Sequence, residues 1–305
     1  MSEPLPVERV VPQIRALLDR GRSVILHAPP GAGKTTLVPG ACLDSAWLND
    51  RRIIMLEPRR VAARAAAARI ASLRKEQVGD TIGYRTRADS RVGPRTRIEV
   101  VTEGVLTRRI ERDPTLEDVG LLIFDEFHER SLVGDLGLAL ALQTRSLIRD
   151  DLRLMVMSAT LDTSAVATLV GDAEIISSEG RVFPIETRYA PPRDDRDLEP
   201  ATARTTRRAL TEHEGDILVF LPGAAEIRRV RELIGDVSAD VVSLHGSATP
   251  EEQDAAVSPA RNGRRRIVLA TSIAETSLTI PGVRVVIDAG LARRPRFSPV
   301  TGMTR

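Results

Sequence analysis

The stretch Ser23-Val24-Ile25-Leu26-His27-Ala28-Pro29-Pro30-Gly31-Ala32-Gly33-Lys34-Thr35-Thr36 decides the fold. Its first five residues are an apolar run of strand length, and a helical pattern begins near residue 35. Between them lies a loop with glycines at 31 and 33, where the backbone can curl until successive N–H groups point at one anion. A helix starting behind such a loop adds partial positive charge at its N-terminus. Strand, glycine loop, Gly-Lys-Thr and helix together read as a phosphate-binding loop, with Ala28 where the first glycine usually stands. Gly31, Ala32, Gly33, Lys34, Thr35 and Thr36 are the candidate phosphate contacts. Lys34 is expected to reach the β- and γ-phosphates, and the Thr35 hydroxyl to ligate Mg²⁺. Of the 44 basic residues only Lys34 and Lys75 are lysines, so the position of Lys34 is informative. Gly-Lys-Thr alone is a weak signal; the strand before it and the helix after it carry the reading.

About 90 residues downstream, Leu121-Leu122-Ile123-Phe124 reads as a buried strand ending in Asp125-Glu126-Phe127-His128-Glu129-Arg130. Parallel sheets bind ligands at the carboxyl ends of their strands. Two adjacent carboxylates there suit a metal ligand and a base. Asp125 is expected to hold Mg²⁺ and Glu126, beside the metal, to orient or deprotonate the attacking water. Alone, the pair could equally be a solvated turn.

Further strand-length runs occur at Ile53–Glu57, Ile98–Thr102, Leu154–Ser158 and Glu174–Ser177, with helical stretches near 7–20, 35–44, 60–74, 104–112, 131–149 and 163–170. Short buried strands alternating with helices predict an α/β fold with a parallel sheet covered on both faces. Residues 190–200 hold three prolines and six charges and read as an exposed connection. Alternation resumes with strands at Asp216–Leu221, Asp240–Leu244, Arg266–Ala270 and Arg284–Asp288, and helices near 201–213, 223–234 and 250–257. The chain of 305 residues accommodates two domains of ordinary size, expected at 1–178 and 179–305.

Apolar residues at 42% and charged residues at 28% exclude a disordered or fibrous chain. No apolar run reaches the roughly 18–20 residues of a membrane span. The charged N-terminus lacks a signal core, so a cytoplasmic location is expected. The single cysteine, Cys42, excludes a disulfide framework within the chain, and the four histidines lack zinc-ligand spacing. Net charge is only +2, but residues 51–112 carry +9 and residues 261–305 carry +7. Two basic blocks on an otherwise acidic chain suggest a polyanion partner, although most single arginines there read as solvated surface. Eight aromatic residues supply no evident base-stacking platform, so backbone-tracking contacts are expected.

The run Asp125–Arg130 resembles motif II of the DEAH-box branch of superfamily 2 helicases, in a bacterial form with Phe at 127. Other runs are similar to that family's motifs in its order. Glu57-Pro58-Arg59-Arg60 is similar to motif Ia, Thr102-Glu103-Gly104 to motif Ib and Ser158-Ala159-Thr160 to motif III. Leu218–Gly223 resembles motif IV and Ala270–Ile280 motif V. The resemblance implies two RecA-like domains of the P-loop NTPase type, with ATP and Mg²⁺ between them and a single strand of RNA or another nucleic acid across both. The implied activity is an ATP-dependent RNA helicase, in which Ser158 and Thr160 couple hydrolysis to strand movement and His128 contacts the partner domain. Arg60, Thr102, Gly104 and Thr276 are the implied nucleic-acid contacts. Family members usually have an acidic residue where Pro281 stands. They also have a motif VI with arginine fingers, which is expected beyond Arg305. The second domain therefore reads as truncated, and the rival function is an ATP- and nucleic-acid-binding module with little turnover.

Overall fold

The computed structural model describes residues 4–160, 163–171, 173–180, 183–192, 194, 197–258, 263–275, 278–293, 297–298 and 301–304. The chain divides into two compact units, Met1–Phe183 and Pro184–Arg305. The first sheet holds the chain as far as Ser178, whose N–H donates to the His27 carbonyl at 2.8 Å.

In chain order the first unit comprises α1 (Val11–Asp19), β1 (Val24–His27), α2 (Lys34–Cys42), β2 (Arg52–Glu57), α3 (Arg60–Leu73), β3 (Ile82–Arg85), β4 (Ser90–Arg91), β5 (Ile98–Thr102), α4 (Glu103–Arg112), β6 (Val119–Phe124), α5 (Leu132–Leu147), β7 (Arg153–Ser158), α6 (Thr163–Leu169) and β8 (Glu174–Ser177). The sheet order is β4-β3-β5-β2-β6-β7-β1-β8, and only the β3–β4 pair is antiparallel. The strands read as continuous apolar runs because both faces are buried. Ile53 and Met55 of β2 enter one core with Leu121 and Ile123 of β6 and Met155 and Met157 of β7, while their neighbours Ile54, Leu56, Leu122, Phe124, Leu154 and Val156 enter the other. The alanines of α3 let it lie close on the first face; Ala63, Ala67 and Ala71 are each at most 1% exposed.

The β3–β4 hairpin has no counterpart in the sequence-based expectation. Its strands are short, and Gly83 interrupts the apolar pattern. A Cβ at Gly83 would lie 2.5 Å from the Arg91 carbonyl oxygen, so the close approach of the two edge strands requires glycine.

The second unit comprises α7 (Leu198–Glu212), β9 (Asp216–Phe220), α8 (Ala224–Ile234), β10 (Asp240–Leu244), α9 (Pro250–Val257), β11 (Arg266–Ala270) and β12 (Val283–Asp288), followed by a ribbon of β13 (Phe297–Ser298) and β14 (Met303–Thr304). Its parallel sheet has the order β10-β11-β9-β12. α7 begins at Leu198, earlier than expected, because Pro200 falls in the first turn, where no intrahelical N–H bond is lost. α9 is opened by a reciprocal cap between Thr249 and Glu252. No helix among the described residues is long and apolar enough to cross a membrane.

A buried ion pair fastens the strand starts of this sheet. Asp216 on β9 accepts from the Arg266 backbone N–H at 2.8 Å and from its guanidinium Nε at 2.9 Å. The same guanidinium donates to the carbonyls of Ala256, Ser258 and Pro281. Pro281 therefore contributes a backbone acceptor to this cluster. Gly282 holds φ +90°, and a Cβ there would lie 2.9 Å from Asp216 Oδ2, so only glycine fits beside the pair. Removing one partner of a buried pair strands the other charge. Asp216→Ala should destabilise the second unit by about 3–5 kcal/mol. Hydrogen exchange should then show early opening of β9–β12 while β1, β6 and β7 keep the parental protection.

Candidate nucleotide and nucleic-acid site

The parallel strands of the first sheet end on one edge, and the sequence places its chemistry there. β1 carries the loop 28–33, β6 ends before Asp125, β7 ends at Ser158 and β2 ends at Glu57. Ala28 is fully buried, and its N–H continues the ladder by donating to the Ser158 carbonyl at 2.9 Å. It lies outside the positive-φ positions, which explains why alanine serves at this place. Gly31 and Gly33 do take positive φ, +79° and +92°. Gly33 is also braced from behind: its Cβ would meet Leu5 Cδ1 at 2.9 Å, and Val7 N–H donates to the Ala32 carbonyl at 3.1 Å. α2 starts at Lys34, so the loop and the first unpaired N–H groups of that helix share one concavity. Thr36 turns its hydroxyl back to the Gly33 carbonyl at 3.4 Å.

Lys34 is only 4% exposed. Its Nζ donates to Glu126 Oε1 at 2.9 Å, and Thr35 Oγ1 donates to Asp125 Oδ2 at 2.5 Å. The Glu126 N–H donates to Asp125 Oδ1 at 2.8 Å, and Glu126 adopts left-handed backbone angles, φ 49° and ψ 34°. That uncommon conformation turns the carboxylate back toward Lys34. Burial lowers the Lys34 pKa, but the carboxylates of Asp125 and Glu126, with Glu57 behind them, outweigh it and hold the lysine above its ordinary value. Burial, together with the neighbouring Asp125, pushes Glu126 up despite Lys34.

Glu57, at the start of the motif Ia run, has no role that its sequence context assigns. Its carboxyl is 1% exposed, hydrogen-bonded to Asp125, and pushed well above the carboxylate range by burial and by Asp125 and Glu126. Burial and the two neighbouring acids thus favour its neutral form. A glutamate among apolar strand residues looks like an ordinary strand end; only its depth beside two acids distinguishes it. Arg59 and Glu129 also meet, at 3.2 Å, joining the start of α3 to the turn after β6. Phe127 fills the core edge-to-face against Phe124, with centroids 6.4 Å apart and Arg130 stacked over its ring.

His128 lies within the same cluster. Its Nδ1 is 3.4 Å from Glu126 Oε2 and accepts from Ala159 N–H at 3.4 Å. Ser158 is fully buried, its hydroxyl without a partner among the described residues, and Thr160 is exposed just beyond it. The expected residues of the loop, of 125–128 and of 158–160 thus converge. Arg60, Thr102 and Gly104 form a separate group. Glu57 pairs with Thr102 in the β2–β5 register, so the first turns of α3 and α4 stand side by side. Gly104 is exposed with open space around it, and Arg60 is exposed at the first position of α3. Thr276 lies outside the described residues. Much of the first basic block serves the fold: Arg52, Arg85 and Arg109 surround the buried Glu99.

A glycine loop after a buried parallel strand, closed by adjacent acids at the end of another strand of the same sheet, defines a P-loop protein of RecA-like architecture. Residues 8–169 match the DEAD/DEAH box helicase family and residues 201–299 match the helicase conserved C-terminal domain. The chain belongs to the DEAD/DEAH box helicase family. It is 50% identical over 304 residues to the ATP-dependent RNA helicase HrpB of Escherichia coli (strain K12), covering 99% of this chain and 38% of that protein. It is 36% identical to the ATP-dependent RNA helicase HrpA homolog of Haemophilus influenzae, covering 99% of this chain and 24% of that protein. The crystal structure of the Escherichia coli DEAH/RHA helicase HrpB superposes with a TM-score of 0.89 at 49% identity, over 99% of this chain and 39% of that one. The chain thus spans about two fifths of the length of its HrpB relative.

A carboxyl whose folded pKa lies above its ordinary 4.5 binds more protons folded than unfolded. Its contribution to stability is complete below 4.5 and declines as the pH rises toward the folded value. Glu57→Gln keeps a donor toward Asp125 without that dependence. The variant should therefore gain stability over the parent as the pH rises, by up to about 1.4 kcal/mol per pH unit within that window. Denaturant midpoints at about pH 5 and pH 8 check this.

Proposed function

We propose that this chain is the ATP-hydrolysing core of a DEAH-box RNA helicase, driving movement along a single strand of RNA. The observation that carries the reading is the buried Lys34–Glu126 contact of 2.9 Å, with Thr35 and Asp125 joined beside it. Family membership and the names of the relatives support the substrate class, and the cytoplasm is the compartment that goes with it.

Lys34 donates to the Glu126 oxygen that would accept a proton. The γ-phosphate of ATP is a stronger competitor for the ammonium than one carboxylate. When it enters the loop, Lys34 turns to phosphate and Glu126 Oε1 is released. Glu126, held above the usual carboxylate range, is then suited to take a proton from water attacking the γ-phosphate. Loop N–H groups and the α2 N-terminus fix the phosphates, and Asp125 is held in place by Thr35, Glu57 and the Glu126 N–H. Thr35 and Asp125 fit Mg²⁺, since they present hard oxygen donors to one another at 2.5 Å beside the loop. A Mg²⁺ bound there supplies neutralisation of phosphate charge.

RNA is read as lying against the paired first turns of α3 and α4. Arg60 and the free N–H groups around Thr102 and Gly104 offer phosphate contacts without base readout.

Glu126→Gln should keep nucleotide binding and lower turnover by roughly 10²–10⁴, the value of a general base. Lys34→Ala should abolish nucleotide binding, because Lys75, the other lysine, follows α3 and is not in the loop. Titration calorimetry and phosphate release check both, and parental turnover in Glu126→Gln would contradict the assignment. RNA affinity should fall linearly with log salt, at about 0.7 per phosphate contact, and Arg60→Ala should reduce that slope by about one contact. Fluorescence anisotropy over a salt series measures it.

A further inference from the structure

His27 ends β1, immediately before the phosphate loop. In the sheet register it pairs with Ser158, the last residue of β7. Its ring reaches past that register: Nε2 lies 3.1 Å from the Ala159 carbonyl oxygen. A carbonyl only accepts, so Nε2 carries the hydrogen and donates it. The Ala159 N–H points the other way, to His128 Nδ1 at 3.4 Å. One residue is thereby gripped from both sides, its C=O by the strand that leads into the loop and its N–H by the turn that follows the acids. The adjoining Ser158 hydroxyl is buried and has no partner among the described residues. His128 Nδ1 also stands 3.4 Å from Glu126 Oε2. A single ring nitrogen cannot accept from Ala159 and donate to Glu126 at once. Where the Ala159 N–H sits therefore decides how His128 meets Glu126.

We propose that His27 is a positioning residue: by donating Nε2–H to the Ala159 carbonyl it ties the β1 end to the Ser158-Ala159-Thr160 turn, and through Ala159 it sets the contact between His128 and Glu126. The effect on turnover rests on Glu126 acting as the base; the effect on the turn does not.

Three variants test it. His27→Leu fills the space without a donor. His27→Gln places an amide N–H₂ close to the position of Nε2. His27→Asn is polar but too short to reach, and stands in if the leucine variant does not fold. Nucleotide affinity should stay within about twofold of the parent in all three, because the loop N–H groups and Lys34 are untouched. Turnover in the Leu and Asn variants should fall about threefold to tenfold, the worth of one hydrogen bond, and Gln should restore it. The Ala159 amide, followed by proton–nitrogen NMR, should shift and exchange faster in Leu and Asn and match the parent in Gln. An Ala159 amide unchanged in Leu and Asn overturns the proposal whatever the turnover. A Gln variant as impaired as Leu overturns it too, since that would make His27 a packing residue. A parent that hydrolyses no ATP would refute the functional reading instead, and the amide would still decide the role of His27.

Discussion

A lysine buried among three carboxyl groups is the constraint on which the first unit is organised. Lys34 cannot sit at 4% exposure without negative partners, and Glu126 cannot sit at 9% without a cation. Each is tolerable because the other is 2.9 Å away. That distance is possible only if β1 and β6 deliver the two residues to one edge of the sheet, with β7 between them. The left-handed backbone of Glu126, the raised pKa of Glu57 and the brace of Leu5 and Val7 against the loop all serve this meeting. The same need of Lys34 for a negative partner is what suits this loop to the phosphate proposed for it.

The ends of the strands form a layered arrangement. Charged groups on β6 and in the loop lie innermost, and the turns after β6 and β7 lie beside them, linked through His128 and Ala159. The first turns of α3 and α4 stand along the same edge, beyond β2 and β5. Arg59 and Glu129 bridge the turn after β6 to the start of α3. A displacement of the acids therefore has direct mechanical contact with the elements that present Arg60 and Gly104. Many arginines of the first basic block support this frame instead of a ligand. Glu99, fully buried on β5, is satisfied by three of them.

The second unit is held by a different device. Its sheet has four strands, and its strand starts are secured by the buried Asp216–Arg266 pair, whose guanidinium also collects three backbone carbonyls. The guanidinium is a planar fork with five donors, so one side chain can serve strand, helix end and loop together. This explains why Gly282 lies where it does, beside the Asp216 carboxylate.

Local pattern determined a large part of this protein. Both-face burial writes parallel strands as continuous apolar runs, so β1, β2, β5, β6, β7 and most helices are readable from composition alone. The glycine loop and the adjacent acids are readable because their chemistry requires fixed residue types at fixed spacing. The edge hairpin of β3 and β4 is not, because its pairing depends on a close approach at Gly83 and not on an apolar run. Glu57 and His27 carry no local signature either. One is an acid at a strand end and the other a histidine before a loop. The raised pKa of Glu57 follows from its burial and from two neighbouring acids brought in after β6. The His27 contact follows from register with β7, some 130 residues away in sequence. Sequence specified which groups would carry the chemistry; tertiary structure alone decided their distances, burial and proton positions, because those depend on neighbours that only the folded sheet brings together.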